Sequence, residues 1–358
     1  MSFLLDPFGT LHDVLNGFLL GLLPSWLADL IMALVGVVII VSVVPVLVMS
    51  AIYLERRIIA KMQDRIGPNR VGPFGLLQPV ADAIKLLSKE DIIPAGADRL
   101  LFILSPILVL GASLMVWVTI PWAPGLAPTD LNVGVLFIIA MGALPTIGII
   151  MAGWASDNKY SLLGGMRAAA QFISYEIPGV LAALVPVMLA GSMSLYEIVR
   201  AQQGGNWFLF SPWGLLAFLI FLIAGIAEVN RTPFDLVEAE SEIIAGFHTE
   251  YSGMRFALFF LAEYANVFAI SAVGTLLFLG GWSGPDTLLL GSPVVPRFVW
   301  FFVKMYALVF VFFWLRGTLP RFRYDQLMNF AWKTLLPVSL LNVGVVGLWI
   351  SITRGFVG

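Results

Sequence analysis

Eight runs of about twenty apolar residues dominate this chain, at about 27–54, 100–121, 131–153, 163–190, 213–229, 255–281, 298–316 and 332–353. A hydrocarbon layer about 30 Å thick takes roughly 20 residues of helix to cross. The runs therefore predict an all-α integral membrane protein of eight spans in a single polytopic domain, residues 1–358. Charged residues make up 12% of the chain, half of the roughly 25% usual in soluble domains, so lipid takes the place of a water-excluding core. The first run exceeds the length needed and contains Pro45, which predicts a tilted or kinked helix. The shorter stretch 8–23, interrupted by Gly17 and Gly21 and followed by Pro24, is expected to lie in the interface rather than form a ninth span. With no basic residue before Arg56, a cleavable signal peptide is not expected.

Orientation follows from lysine and arginine. The loops after spans one, three, five and seven hold 8, 2, 2 and 4 basic residues, counting Arg167 and Arg316 with their loops. The opposite side holds three, Arg200, Arg297 and Arg354, while Lys304 lies within span seven. That asymmetry predicts both termini on the outer side of the membrane and the charged loops on the inner side.

The missing residue types exclude much chemistry. Without cysteine the chain cannot ligate an iron–sulfur cluster through thiolates or use a thiol nucleophile. Two histidines, His12 and His248, cannot clamp haem between histidine pairs, and no phosphate-binding or dinucleotide fingerprint is present. Any redox role is then shared with other chains. No paired, interrupted spans of the kind found in many secondary transporters stand out.

Functional surface is concentrated on the inner side, in loops 55–99 and 230–254. In the first, Leu76, Leu77, Val80, Ile84 and Leu87 fall near one helical face, predicting an amphipathic interfacial helix. Just before it, GPNRVGP at 67–73 carries two Gly and two Pro, the composition of a defined turn. Glu55, Arg56 and Arg57 end the first span; Arg57 and Lys61 fit simple anchors, whereas Arg65 beside the turn does not.

The second loop, TPFDLVEAESEIIAGFHTE at 232–250, packs Asp235, Glu238, Glu240, Glu242 and Glu250 between two apolar spans. Thr232-Pro233 with Asp235 and Glu238 matches a helix start, which accounts for two of the acids. Ordinary solvation of a surface loop would account for the others, but the interleaved Leu236, Val237, Ile243 and Ile244 predict a partly buried segment. His248 is read as a hydrogen-bonding residue with no metal role. Glu176, Glu228 and Glu263 fall within spans four, five and six and are expected at similar depth in the inner half of the bilayer. Each is either a structural ion pair or hydrogen bond, or part of a proton path; three on consecutive spans leading into an acidic loop favour the path.

ERR at 55–57, GPNRVGP at 67–73, LLQPVADAIKL at 76–86 and AGWASDNKYSLLGGMRAAAQFISYE at 152–176 form one ordered series. AEVNRTPFDLVEAESE at 227–242, GFHTEYSG at 246–253, LFFLAEYAN at 258–266 and LPRFRYDQLM at 319–328 continue it. From about Tyr53 to Lys333 the chain closely resembles the quinone-site membrane subunit of proton-pumping NADH:quinone oxidoreductase, respiratory complex I. The departures are small: Val229 stands where members often have Thr, and members vary at His248.

The resemblance implies eight transmembrane helices with an interfacial helix, and a non-redox subunit that forms part of the quinone chamber. Glu55, Arg56 and Arg65 match charged residues at the quinone tunnel, and Arg231, Asp235, Glu238, Glu240 and Glu242 match the responsive loop beneath the headgroup. Glu176, Glu228 and Glu263 match the acids leading towards the membrane arm. Quinone is the implied substrate; flavin and iron–sulfur clusters are expected in partner subunits of the peripheral arm, beside small membrane-arm subunits. Two other readings stay open: the homologous anchor of a membrane-bound hydrogenase, and a stand-alone proton or cation transporter.

Overall fold

A computed structural model describes residues 24–126, 129–237, 244–284 and 295–354, together with Gly17 and Gly21. The remainder of the 8–23 stretch lies outside the described residues, as do Glu238, Glu240 and Glu242. Among the described residues all regular structure is helical, as a chain in lipid requires when each backbone group must bond within its own segment.

The helices are α1 (Ser25–Met62), α2 (Gln78–Ser88), α3 (Arg99–Val116), α4 (Gly134–Ala155), α5 (Lys159–Ala190) and α6 (Leu195–Ala201). Then come α7 (Pro212–Glu228), α8 (Gly253–Phe278), α9 (Arg297–Thr318), α10 (Tyr324–Phe330) and α11 (Leu336–Arg354). A π-helical turn, Ala331–Leu335, joins the last two into one long apolar element. That element and α1, α3, α4, α5, α8 and α9 are each long and apolar enough to cross a membrane. The 17 residues of α7 span only about 26 Å, and the short turns before it, Gln203–Phe210, meet it at 61°. Among the described residues, seven helices are thus long and apolar enough to cross a membrane, or eight if this bent pair is one span.

Several helix ends are readable as local chemistry. The Asp98 side chain accepts from the N–H groups of Leu100 and Leu101 at the start of α3, and the Asn158 side chain accepts from Tyr160 N–H at the start of α5. Ser211 caps α7 with Pro212 in its first position. The end of α1 differs from expectation: the apolar run stops at residue 54, yet the helix continues to Met62. Leu, Glu, Arg, Ala, Lys and Met all favour helix, so the charges of LERRIIAKM end the hydrophobic signal without ending the helix. Glu55, Arg56 and Arg57 are consequently helical side chains, aimed by α1 rather than by a loop.

The 67–75 turn is pinned to α1. Tyr53 Oη donates to the Phe74 carbonyl at 3.0 Å, and an Arg57 Nη donates to the same oxygen at 2.6 Å. Gly75 has a φ of +79°, and a Cβ there would overlap the Pro68 carbonyl, so only glycine fits. After the turn, Leu76 and Leu77 are exposed, as are Val80, Ile84 and Leu87 of α2.

The acidic loop does not open as a helix. Residues Thr232–Val237 run as turns and bends, correcting the expectation of a helix start at Thr232-Pro233. Phe234 N–H bonds to the Arg231 carbonyl and Phe322 N–H to the Pro233 carbonyl, while the Asp235 carboxylate is drawn to Arg321 at 3.0 Å. These tertiary partners take the groups a helix would have used.

The most enclosed crossing helix is α8, which packs against α1, α3, α7 and α9. Its C-terminal end is closed by Lys304 of α9, whose Nζ donates to the carbonyls of Leu279 (2.6 Å), Gly281 (3.0 Å) and Ser283 (2.6 Å). The ammonium also lies 4.1 Å from the centre of the Trp207 ring, within cation–π range.

Candidate functional site

Four elements bring charge together where α7 ends. Glu55 is on α1, Arg231 on the turn after α7, Glu263 on α8 and Arg316 on α9. Arg231 Nε lies 3.0 Å from Glu263 Oε1, and an Arg231 Nη lies 3.7 Å from Glu55. Arg316 pairs with the other oxygen of Glu55. Arg231 and Glu55 are only 4% and 5% exposed, a burial that isolated charges do not survive. The Arg231 guanidinium carbon also sits 4.2 Å over the Tyr264 ring. Burial acts to lower the Arg231 pKa, but Glu263, Tyr264 and Glu55 outweigh it and hold the group above its ordinary value.

Against this chain of charges lies a cavity of about 230 Å³ whose wall includes Glu176, Glu228, Asn230, His248, Glu263 and Asn266. A smaller, mainly apolar cavity of about 90 Å³ adjoins it and shares Gly142, Glu176, Glu228 and Asn266. Glu176 and Glu228 therefore stand where the two spaces meet. Similar depth is the sequence expectation for the three acids. In the structure they share one cavity wall, with Glu228 at the end of α7, Glu176 within α5 and Glu263 within α8.

The described part of the acidic loop is stapled on both sides. Burial pushes the Asp235 carboxyl up, while Arg321, Arg316 and Arg231 pull it down less strongly, leaving it raised. The Gln171 amide on α5 donates towards the Ala227 and Phe234 carbonyls at 2.8 and 2.9 Å and Asn230 Oδ1 at 3.2 Å. Further along, a Cβ on Gly164 would lie 2.6 Å from Gly246 Cα, so α5 and the loop backbone touch directly. His248 packs edge-on to Phe247 and Phe256. Burial lowers its pKa to about 4 against the pull of Asp235, so it is neutral at pH 7. Glu250 accepts from Asn158 Nδ2 at 2.6 Å, tying the acidic loop to the cap of α5.

Of the residues singled out from sequence, Glu55, Arg231 and Glu263 join one ion-pair chain, and Glu176, Glu228 and Glu263 share one cavity. Asp235 lies near Arg316 and Arg231 of the ion-pair chain. Arg56 instead pairs with Asp82 of α2 at 2.7 Å, and the exposed Arg65 donates to Gln63 at 2.7 Å; neither joins the buried chain. Glu238, Glu240 and Glu242 fall outside the described residues. Sequence reasoning passes over Arg316, Tyr264, Asn266 and Gln171. The two amides carry a signal: a polar group in an apolar span, as in AAAQFISYE and LFFLAEYAN, requires a partner.

Known proteins share this sequence over most of its length. A family model described as NADH dehydrogenase matches residues 35–347. A protein of Dehalococcoides mccartyi (strain CBDB1), named as a subunit of NADH-quinone oxidoreductase, is 55% identical over 320 residues, covering 89% of this chain and 87% of the relative. A Geobacillus kaustophilus protein of the same name is 55% identical over 312 residues, 86% of this chain and 92% of its own. In Geobacter metallireducens, a protein likewise named as a subunit of NADH-quinone oxidoreductase is 49% identical over 335 residues, 91% and 98% of the two chains. By the extent of these matches, the chain belongs to the NADH dehydrogenase family.

Proposed function

We propose that this chain is the quinone-chamber membrane subunit of a proton-translocating NADH:quinone oxidoreductase, with no redox chemistry of its own. The observation that carries the reading is Arg231, buried between Glu55 and Glu263 at the edge of the cavity lined by Glu176 and Glu228. The name shared by the relatives favours this reading over a hydrogenase anchor or a stand-alone transporter.

In this reading Glu55, Arg56, Arg65, Arg231, Asp235, Glu238, Glu240 and Glu242 serve the chamber, and Glu176, Glu228 and Glu263 the proton path. Electrons come from flavin and iron–sulfur centres of peripheral partner subunits. Negative charge arriving in the chamber on quinone reduction pulls Arg231 away from Glu263 and Glu55. A carboxylate that loses its cation in a low-dielectric site gains affinity for a proton. Glu263 then takes up a proton, and Glu228 and Glu176 pass the change along the shared cavity. Asp235 and Arg321 report the same charge to the 319–323 segment.

The proposed topology has eight spans, counting α7, with α2 lying in the inner interface and both termini on the outer side. The test is to tag the chain in its host, extract it in mild detergent and analyse what co-purifies. Flavin, iron–sulfur signals and NADH:quinone reductase activity are the expected result. A nickel–iron hydrogenase partner, or an isolated active chain, overturns the reading.

A further inference from the structure

Gln171 stands on α5 five residues before Glu176, within the membrane domain, and is 1% exposed. Its amide nitrogen has three acceptors in reach: Ala227 O at 2.8 Å, Phe234 O at 2.9 Å and Asn230 Oδ1 at 3.2 Å. An amide NH₂ carries two hydrogens, so two of the three can be fully satisfied at once. The acceptors bracket Arg231. Ala227 precedes Glu228 at the end of α7, Asn230 sits in the left-handed region with φ of +54°, and Phe234 closes the turn through its N–H to the Arg231 carbonyl. The position of the guanidinium between Glu55 and Glu263 is thus set by a turn that Gln171 grips at both ends.

We infer that Gln171 is a positioning residue for Arg231: its donor group, shared among these three acceptors, holds the 227–234 turn at the depth where Arg231 bridges Glu55 and Glu263. The inference rests on the proposed quinone-chamber function and adds a residue which that reading does not need.

The experiment uses the intact complex carrying Gln171→Met or Gln171→Glu. Met conserves volume and removes the donor. Glu is isosteric, lacks a donor when ionised and regains one when protonated, so its donor returns as pH falls. Charged and titratable groups on the packed elements include Glu228 on α7, Arg231 and Asp235 on the turn, Arg321 and His248 beyond it, Glu263 on α8, Lys333 on the π-helical turn, and Arg167 and Glu176 on α5 itself. Their titration is common to wild type and variant, so the readout is the variant-to-wild-type ratio at each pH.

Electron transfer from NADH to a water-soluble artificial acceptor is expected to stay at the wild-type level in both variants. Quinone reduction by Gln171→Met is expected to fall roughly tenfold, as for one strong buried hydrogen bond lost, at every pH. Gln171→Glu is expected to match it at pH 8 and to recover several-fold by pH 6. Wild-type rates and proton-to-electron ratios in both variants overturn the inference, as does a Gln171→Glu deficit that is flat with pH. If Gln171→Met fails to assemble, the pH profile of Gln171→Glu decides alone. Failure of the wild-type chain to co-purify with flavin and iron–sulfur partners sinks the underlying function instead, before any variant is made.

Discussion

Glu55 on α1 and Glu263 on α8 share one buried cation, the guanidinium of Arg231, at 3.7 and 3.0 Å. Two residues far apart in the chain are therefore answerable to the same charge. Replacing Arg231 by Met leaves two carboxylates facing each other without it. Removing one partner of a buried ion pair costs roughly 3–5 kcal/mol. The expected outcome is a sharp fall in the amount of assembled complex, read by native gel and thermal inactivation. Adding Glu263→Gln to Arg231→Met is expected to restore part of the loss, and a strictly additive double variant would contradict the shared-cation arrangement.

Glu176 and Glu228 line both cavities. Glu228→Gln and Glu176→Gln keep the side-chain shape and remove the titratable oxygen. Both are expected to leave assembly intact and to lower proton translocation per electron in proteoliposomes, measured by a pH-sensitive dye. Normal pumping at normal turnover in both variants would falsify the proton-path role.

His248 and Asp235 give opposing pH dependences of stability. The folded His248 pKa lies near 4, below its ordinary 6.5. The unfolded chain binds its proton first, so the histidine's contribution is complete above pH 6.5 and is lost as pH falls towards 4. Asp235 is raised by burial, so the folded state binds its proton first and stability increases as pH falls through that carboxyl's folded value. His248→Gln is expected to reduce the loss of thermal stability between pH 6.5 and pH 4, by up to roughly 1.4 kcal/mol per pH unit. Asp235→Asn is expected to steepen it. Thermal midpoints of the detergent-extracted complex across that range check both signs.

Lys304 satisfies three carbonyls at the C-terminal end of α8. In Lys304→Met the chain keeps its length and loses every donor. Stranded buried acceptors cost on the order of 1–3 kcal/mol each before the site relaxes or admits water. A drop of several degrees in the thermal midpoint is expected, with quinone reductase rate per assembled complex unchanged. A loss of rate without loss of stability would show that the cage does more than close the helix end.

The membrane class of the fold was determined by the sequence itself, for a physical reason that needs no tertiary detail. Eight apolar runs of near-bilayer length leave the backbone no choice but helix, and caps such as Asn158 and Ser211 fix where α5 and α7 begin. The candidate acids were legible for a similar reason: a carboxylate inside an apolar run is conspicuous. Partnership was not legible. Glu55 and Arg316 are 261 positions apart, and nothing local in either segment specifies the other. Helix length past the apolar edge was also hidden, because LERRIIAKM changes hydropathy without changing helix propensity, and so the aim of Glu55 came only with α1 in three dimensions. The same holds for Thr232–Asp235, whose local chemistry favours a helix start and whose tertiary partners, Arg321 and Gln171, outcompete it. Local free energies of capping are about 1 kcal/mol, whereas a buried charge or carbonyl left without its partner costs more. Where these conflict, packing decides, and the shared cavity of Glu176, Glu228 and Glu263 is the result.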